Sequence, residues 1–339
     1  MAVHPLRSTG VGDGGGMNES HTKNWPEPHS ISSRTTPDHR PACVTGDVAG
    51  QSEASNDIPC EDNLMIRHLL VTSVAVVAGL AAPMPNPVSP DFNGKRPIAA
   101  ADTVFIADMT WMEVRDAMKA GKDTVIIATG GIEQNGPYLV ANKHGVVLEA
   151  MTESIARALG NALVAPIVDF VPEGDIQPPT VHMNYPSTVS VREDTYRALL
   201  TDIVASYKTH GFRHIVLIGD SGGNQDGLKA VAAAQDESAK KGPKVSFVPE
   251  YYNYGDVAKF LEAHGVKQVP EGLHDDFGIT AIMSTVDPSS IRAKQRKKAG
   301  KFTINGISLS PLKNTQKWGR AIIQFRTDVS VKAIRAARK

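Results

Sequence analysis

Between Gly130 and His144 the chain reads GGIEQNGPYLVANKH, which places a carboxylate (Glu133), two carboxamides (Gln134, Asn135) and an imidazole (His144) directly behind the apolar run DTVIIAT. A second apolar run, RHIVLIG, ends in DSGGN and so carries Asp220, Ser221 and Asn224. A third leads into PEGDIQPPTVHMNYPST, which contains His182. Carboxylates and imidazoles are the side chains that move protons or grip cations. A Ser221 nucleophile would need an adjacent base, and Gly-Asp-Ser-Gly-Gly lacks the G-x-S-x-G spacing of a strand-to-helix elbow, so a hydrogen bond to substrate is the better role for it. The amides of Gly222, Gly223 and Asn224 open a helical pattern, where unpaired N–H groups suit a developing oxyanion.

The segments that must hold these groups alternate two periodicities. DTVIIAT (123–129), NALVAPIVDFV (161–171), RHIVLIGD (213–220) and KVSFVPEYY (244–252) predict strands. Between them HGVVLEAMTESIARALG, REDTYRALLTDIVASYKTHG and NQDGLKAVAAAQDESAKKG have apolar residues at helical spacing, and each closes on glycine, a helix stop. This alternation implies an α/β fold, a mostly parallel sheet covered by helices on both faces. Ligands of such sheets collect beyond the carboxyl ends of the strands. Glu133, Asn135, His144, His182, Asp220, Ser221 and Asn224 are therefore expected in one crevice, with Tyr251, Tyr252 and Tyr254 placed to wall it. Further helices are expected at YGDVAKFLEAHG, at DDFGITAIMSTV and through most of 312–338.

Residues 102–339 read as one domain. Residues 1–64, rich in Gly, Ser, Thr, Pro and Asp, cannot repay the entropy of ordering and read as disordered or untranslated. MIRHLLVTSVAVVAGLAAPMPNPVSP then has the layout of a secretory signal followed by a linker, assigned to 65–101, with an apolar stretch too short to span a bilayer. Such a leader places the protein in the periplasm or outside the cell. Both cysteines, Cys43 and Cys60, precede it, which leaves residues 102–339 without disulfides, thiolate zinc ligands or cysteine catalysis. A net charge of +0 argues against nucleic acid or an anionic membrane surface and for a small-molecule partner.

Four motifs in this order resemble the creatininase family, metal-dependent amidohydrolases of α/β/α sandwich fold. Members of that family open their site with E-Q-H-G-P-H-L-P-x-x-T-D. They continue with E-H-x-x-F-P-G-T, N-G-H-G-G-N and H-A-G-E-x-E-T-S. The corresponding segments here are EQNGPYLVANKH, VHMNYPST, GDSGGN and HDDFGITA. The resemblance implies a three-layer α/β/α sandwich and a site built around divalent metal. Carried over by position, the loop glutamate is retained as Glu133, the loop histidine becomes Asn135, and the bridging aspartate becomes His144. The turn histidine falls on Ser221 and the turn acid on Gly223.

These losses remove the ligands of one of the family's two metals. What remains implies a mononuclear centre of Glu133, His144 and Asp220, holding zinc foremost, with manganese or iron equally compatible. The resemblance sets Asn135, Tyr138, His182, Ser221, Gly222, Gly223 and Asn224 against substrate. It gives His274 the proton-transfer role, with Asp275 or Asp276 to orient it. The implied activity is metal-assisted hydrolysis of a C–N bond in a small amide, open-chain or cyclic, by a homo-oligomer, a hexamer by resemblance. Two alternatives are a solute-binding or scaffold protein that kept the sandwich without catalysis, and a metal-dependent lyase or isomerase.

Overall fold

A computed structural model of the chain describes residues 90–237 and 242–338, all within one compact unit. The expected extension 1–64, the apolar stretch of the export signal and both cysteines lie outside the described residues. Residues 92–96, assigned above to a linker, are docked on the domain. Arg115 donates to the carbonyls of Phe92 and Gly94, and Arg96 pairs with Asp116 at 3.1 Å. No described helix is long and apolar enough to cross a membrane.

The centre is a four-stranded parallel sheet in the order β2-β1-β3-β4. Its strands are β1 (Thr124–Thr129), β2 (Ala162–Val164), β3 (His214–Gly219) and β4 (Lys244–Phe247). Every residue of β1 and β3 is buried, as in a strand covered on both faces. Alternation divides β1 between two cores. Val125 and Ile127 meet Leu200, Val204 and Leu228, whereas Ile126 and Ala128 meet Val147, Met151 and Ile282. Helices α1 (Trp111–Lys119), α3 (Glu193–His210) and α4 (Gln225–Glu237) contribute to the first side. Helices α2 (Lys143–Leu159), α5 (Tyr254–Ala263), α6 (Phe277–Val286) and α8 (Leu312–Ala337) contribute to the second. The chain is an α/β sandwich, as its alternating pattern requires. Gly160 and Gly211, both left-handed, end α2 and α3 where the glycine stops predict.

Two strands are shorter than the apolar runs suggest. The ladder of β2 ends at Val164, just before Pro166, and the run touches the sheet again only through a bridge between Val168 and Thr129. β4 ends before Pro249, which starts a 3-10 turn. Proline has no N–H for the ladder, so both endings follow from composition. Helix α1 and a small hairpin, β5 (Thr303–Ile304) with β6 (Ile307–Ser308), were not anticipated, although each carries a local signal. Thr110 and Glu113 form a capping box. Asn305-Gly306, both at positive φ, is a two-residue hairpin turn. A short helix, α7 (Ala293–Lys298), precedes the hairpin.

Candidate metal centre

The sheet positions the site by register. Thr129, the last residue of β1, pairs with Gly219, the last of β3, so the loop after β1 and the turn after β3 leave the same edge side by side. Asn224 joins them: its side-chain amide donates to the Thr129 carbonyl at 3.1 Å, the Thr129 hydroxyl at 2.9 Å and the Gly130 carbonyl at 2.8 Å. Asn135 closes the loop on itself, its Nδ2 donating to the carbonyls of Glu133, Val140 and Ala141. Both amides are buried fasteners, which corrects the expectation that Asn135 and Asn224 face substrate. Tyr138 is also displaced from that role, since its ring lies under the Arg296 guanidinium at 4.3 Å and does not line the cleft.

Glu133 sits at the base of a cleft of about 640 Å3, surrounded by basic side chains. His144 Nε2 and Lys143 Nζ each lie 2.8 Å from its Oε1, and His274 Nε2 lies 3.3 Å from the same oxygen. His182 Nε2 reaches Oε2 at 3.2 Å. Burial alone would raise the Glu133 carboxyl, but hydrogen bonds from His144 and His274 and the charge of Lys143 outweigh it and hold the group far below the usual carboxylate range. His182 and His274 stack edge to face with centroids 4.5 Å apart at the more open side of the cleft. Burial pushes His182 down.

Asp220 is close to this centre but has a different task from the one expected. Its Oδ2 accepts from His144 Nδ1 at 2.9 Å and from the Tyr254 hydroxyl at 2.7 Å, and its Oδ1 accepts from Arg326 Nη2 at 3.0 Å. Both oxygens are thus engaged, at a fully buried position. Burial opposes ionisation here, yet the hydrogen bond from His144 and the charge of Arg326 bring the carboxyl down to about 2. The ligand role assigned to Asp220 is therefore corrected: it orients His144 from behind, as outer carboxylates orient histidine ligands. His144 is itself raised; burial works against the proton, and hydrogen bonds to Asp220 and Glu133 prevail.

Asp276 is likewise corrected. Its Oδ1 accepts from Ile279 N at 2.6 Å and caps α6, so it anchors the helix rather than orienting His274. Burial pushes its carboxyl up. Ser221, Gly222 and Gly223 do line the cleft, as do Tyr252 and Tyr254, while Tyr251 is buried behind them.

Three residues of the site went unrecognised in the sequence: Glu173, Lys143 and Arg326. Glu173 is buried, with Oε1 lacking a hydrogen-bond partner. Burial, and then the neighbouring Glu133, push this carboxyl up to about 8. Gly131, at φ +149°, makes room for it, since a Cβ there would collide with Glu173 Oε1. The signal for Glu173 was its place behind the third apolar run. Lys143 adjoins His144, and Arg326 lies in the middle of α8 with no local mark of its role.

Two sets of side chains offer donor atoms within 4.8 Å of one another: Glu133, His144 and Glu173, all buried, and Glu133, His182 and His274. A divalent cation fits the first set. Two carboxyls forced together in a buried place repel unless one keeps its proton or a cation lies between them. The partnerless Glu173 oxygen and the imidazole that Asp220 aims at Glu133 complete a mixed oxygen and nitrogen donor set suited to zinc or manganese.

Comparison with known proteins agrees with the fold. Residues 107–334 match the family profile described as "Creatininase: Creatinine amidohydrolase". Over 116 residues the chain is 27% identical to the creatinine amidohydrolase of Pseudomonas putida, covering 34% of this chain and 44% of that protein. Over 119 residues it is 26% identical to the 3-dehydro-scyllo-inosose hydrolase of Thermotoga maritima, covering 35% of this chain and 36% of that protein. The aligned stretches therefore span less than half the length of either curated relative. A crystal structure of creatinine amidohydrolase (creatininase) superposes with a TM-score of 0.51 at 18% identity, covering 69% of this chain and 97% of that one. A mutant creatininase of Zn-Zn type gives 0.51 at 18% over 70% and 98%, and a manganese creatininase 0.51 at 19% over 69% and 98%. At such identities these structures speak to the fold, whereas the profile covers the whole sandwich and both site-forming strand ends, so the chain belongs to the creatininase family.

Proposed function

We propose that the protein is a metal-dependent hydrolase acting on a C–N bond of a small amide, open-chain or cyclic, with one divalent cation held by Glu133, His144 and Glu173. The observation that carries the reading is the pair of buried carboxyls, Glu133 and Glu173, facing an imidazole that a third carboxylate, Asp220, holds in place. A divalent cation there supplies Lewis acidity, polarising a carbonyl and making water a stronger acid. Zinc is the first candidate and manganese the second, in keeping with the two metal forms of creatininase superposed above.

The chain's own groups do the rest. Asp220 accepts the Nδ1 proton of His144, which directs Nε2 at Glu133. His274, at the open side of the cleft, is the group placed to take a proton from the attacking water and return it to the leaving nitrogen. His182, edge-on to His274, limits the rotation of its ring. Ser221 and the amides of Gly222 and Gly223 line the same cleft, where they can bind the substrate's oxygen. The names of both curated relatives support hydrolysis and differ in substrate; the amide class is supported by the family profile, described as creatinine amidohydrolase. The leader-like segment before residue 83 supports an exported enzyme, and the family resemblance supports a homo-oligomer.

The test is metal analysis of the purified protein beside Glu133→Ala, His144→Ala and Glu173→Ala, with amine release from a panel of amides and lactams. Near-stoichiometric metal in the wild type, lost in each variant, is the expected result. Full occupancy in all three variants would remove the centre. A wild type that binds no divalent ion, yet binds an amide without turnover, would favour a solute-binding protein.

A further inference from the structure

Glu133 belongs to both ligand sets, with His144 and Glu173 on one flank and with His182 and His274 on the other. A carboxylate with donors on both flanks has places for two cations. One cation is already part of the chain. Lys143 is 1% exposed, its Nζ lies 2.8 Å from Glu133 Oε1, and Glu133 is its one ion-pair partner among the described residues. The oxygen it takes is shared by both flanks, with His144 Nε2 at 2.8 Å and His274 Nε2 at 3.3 Å.

Beyond His274 on its flank of Glu133, Asp275 keeps both oxygens buried without hydrogen-bond partners. Lys143 is also the first residue of α2, where the helix dipole disfavours a positive charge. A buried ammonium in that position stays only if a carboxylate compensates it. Helix stability therefore gives no reason for a lysine here, and the needs of Glu133 do.

We propose that the Lys143 ammonium is a built-in counter-ion filling the second cation position, on the His182 and His274 flank of Glu133, so that the centre takes one divalent ion where it would otherwise take two. The ammonium neutralises charge and donates hydrogen bonds, but it offers no open coordination position. His182 and His274 thereby keep their direct contacts to Glu133, with no second divalent ion between them and the carboxylate. This rests on the metal-centre reading above, and the two can be tested separately.

Metal-stripped wild type, Lys143→Met, Lys143→Gln and Lys143→Arg are saturated with zinc, freed of excess by gel filtration and counted by plasma mass spectrometry, with circular dichroism to confirm folding. The expected counts are one ion per chain in the wild type and in Lys143→Arg, and two in Lys143→Met and Lys143→Gln. The difference tests the counter-ion: a folded Lys143→Met or Lys143→Gln with the wild-type count overturns it, whatever that count is. The wild-type count tests the metal centre: zero removes that centre, while a gain of one ion over that zero in the variants still supports the counter-ion. In zinc-soaked wild-type crystals, an anomalous peak bonded to both His182 and His274 would equally overturn the proposal, and it needs no variant.

Discussion

Asp220 shows how a residue can stand in the right place with the wrong task. By position it is a fair metal ligand, but its two oxygens satisfy His144, Tyr254 and the buried Arg326 guanidinium, which also lies over the rings of Tyr251 and Tyr254. Removing one partner of a buried ion pair leaves the other uncompensated, at a cost of about 3–5 kcal/mol. Asp220→Ala should therefore destabilise the metal-free protein by that amount in urea unfolding. If Asp220 were only a ligand, the metal-free protein would keep its stability and lose just its ion; that outcome would sink the orienting role.

The reason such tasks escape a linear reading is that they depend on long-range partners. Arg326 is 106 residues from Asp220, and nothing in the local sequence of α8 distinguishes it from the other basic residues of that helix. Glu133 and His144, by contrast, belong to one short stretch with a marked polar pattern, the loop after β1 and the first turn of α2, and the structure brings their side chains to 2.8 Å.

Among elements, the turn after β3 and the 172–174 segment act as one unit. A Cβ on Gly223 would stand 2.5 Å from the Pro172 carbonyl, so this glycine allows the turn to lie against the stretch that delivers Glu173. Gly223→Ala should cost about 1–3 kcal/mol, as overpacked sites do, and should weaken zinc binding by moving Glu173. Unchanged zinc affinity by calorimetry would show that the two segments are not coupled. Asp276→Ala should behave differently. It removes the cap of α6, costing about 1 kcal/mol, and should leave the number of bound ions unchanged, because the cap lies outside both ligand sets. Loss of the ion in this variant would return Asp276 to the centre. Strands, main helices and the glycine stops of α2 and α3 were legible because periodicity and punctuation are local; the true ends of β2 and β4 were less so, because apolar runs continue past the last ladder bond.

At the scale of the whole molecule, the edge of the sheet opposite the site carries a pH-dependent element. His214 begins β3, is 1% exposed and shares a hydrogen bond of 3.1 Å with the Ser246 hydroxyl. Burial, and next the charge of Arg338, depress it to about 4, while Asp123, Lys244 and Asp236 exert smaller effects. A histidine depressed in the fold takes up its proton more readily when unfolded, at about 6.5. Between these values the unfolded state binds more protons, so this group lowers stability as pH falls from about 6.5 to 4 and is silent above that window. The loss should approach on the order of 3 kcal/mol. Comparison of chemical unfolding for wild type and His214→Gln across pH 4–7 should show the difference growing toward acid. A constant difference would mean that His214 stays neutral in both states or is charged in both.

What could be read from the linear chain was whatever depends on neighbours in sequence: the alternation that makes the sandwich, the polar loop behind β1, the glycine turn behind β3, and the motif order that points to the family. These follow from side-chain periodicity and backbone freedom, which act over a few residues. Folding in three dimensions settled the roles. It engaged Asp220 with Arg326, turned Asn135 and Asn224 inward as fasteners, brought Glu173 to Glu133, and set an ammonium on the same carboxylate. The physical reason is that a charge or hydrogen-bonding group buried at a sheet edge must be compensated by whatever the fold places beside it, and in this protein most of those partners come from distant parts of the chain.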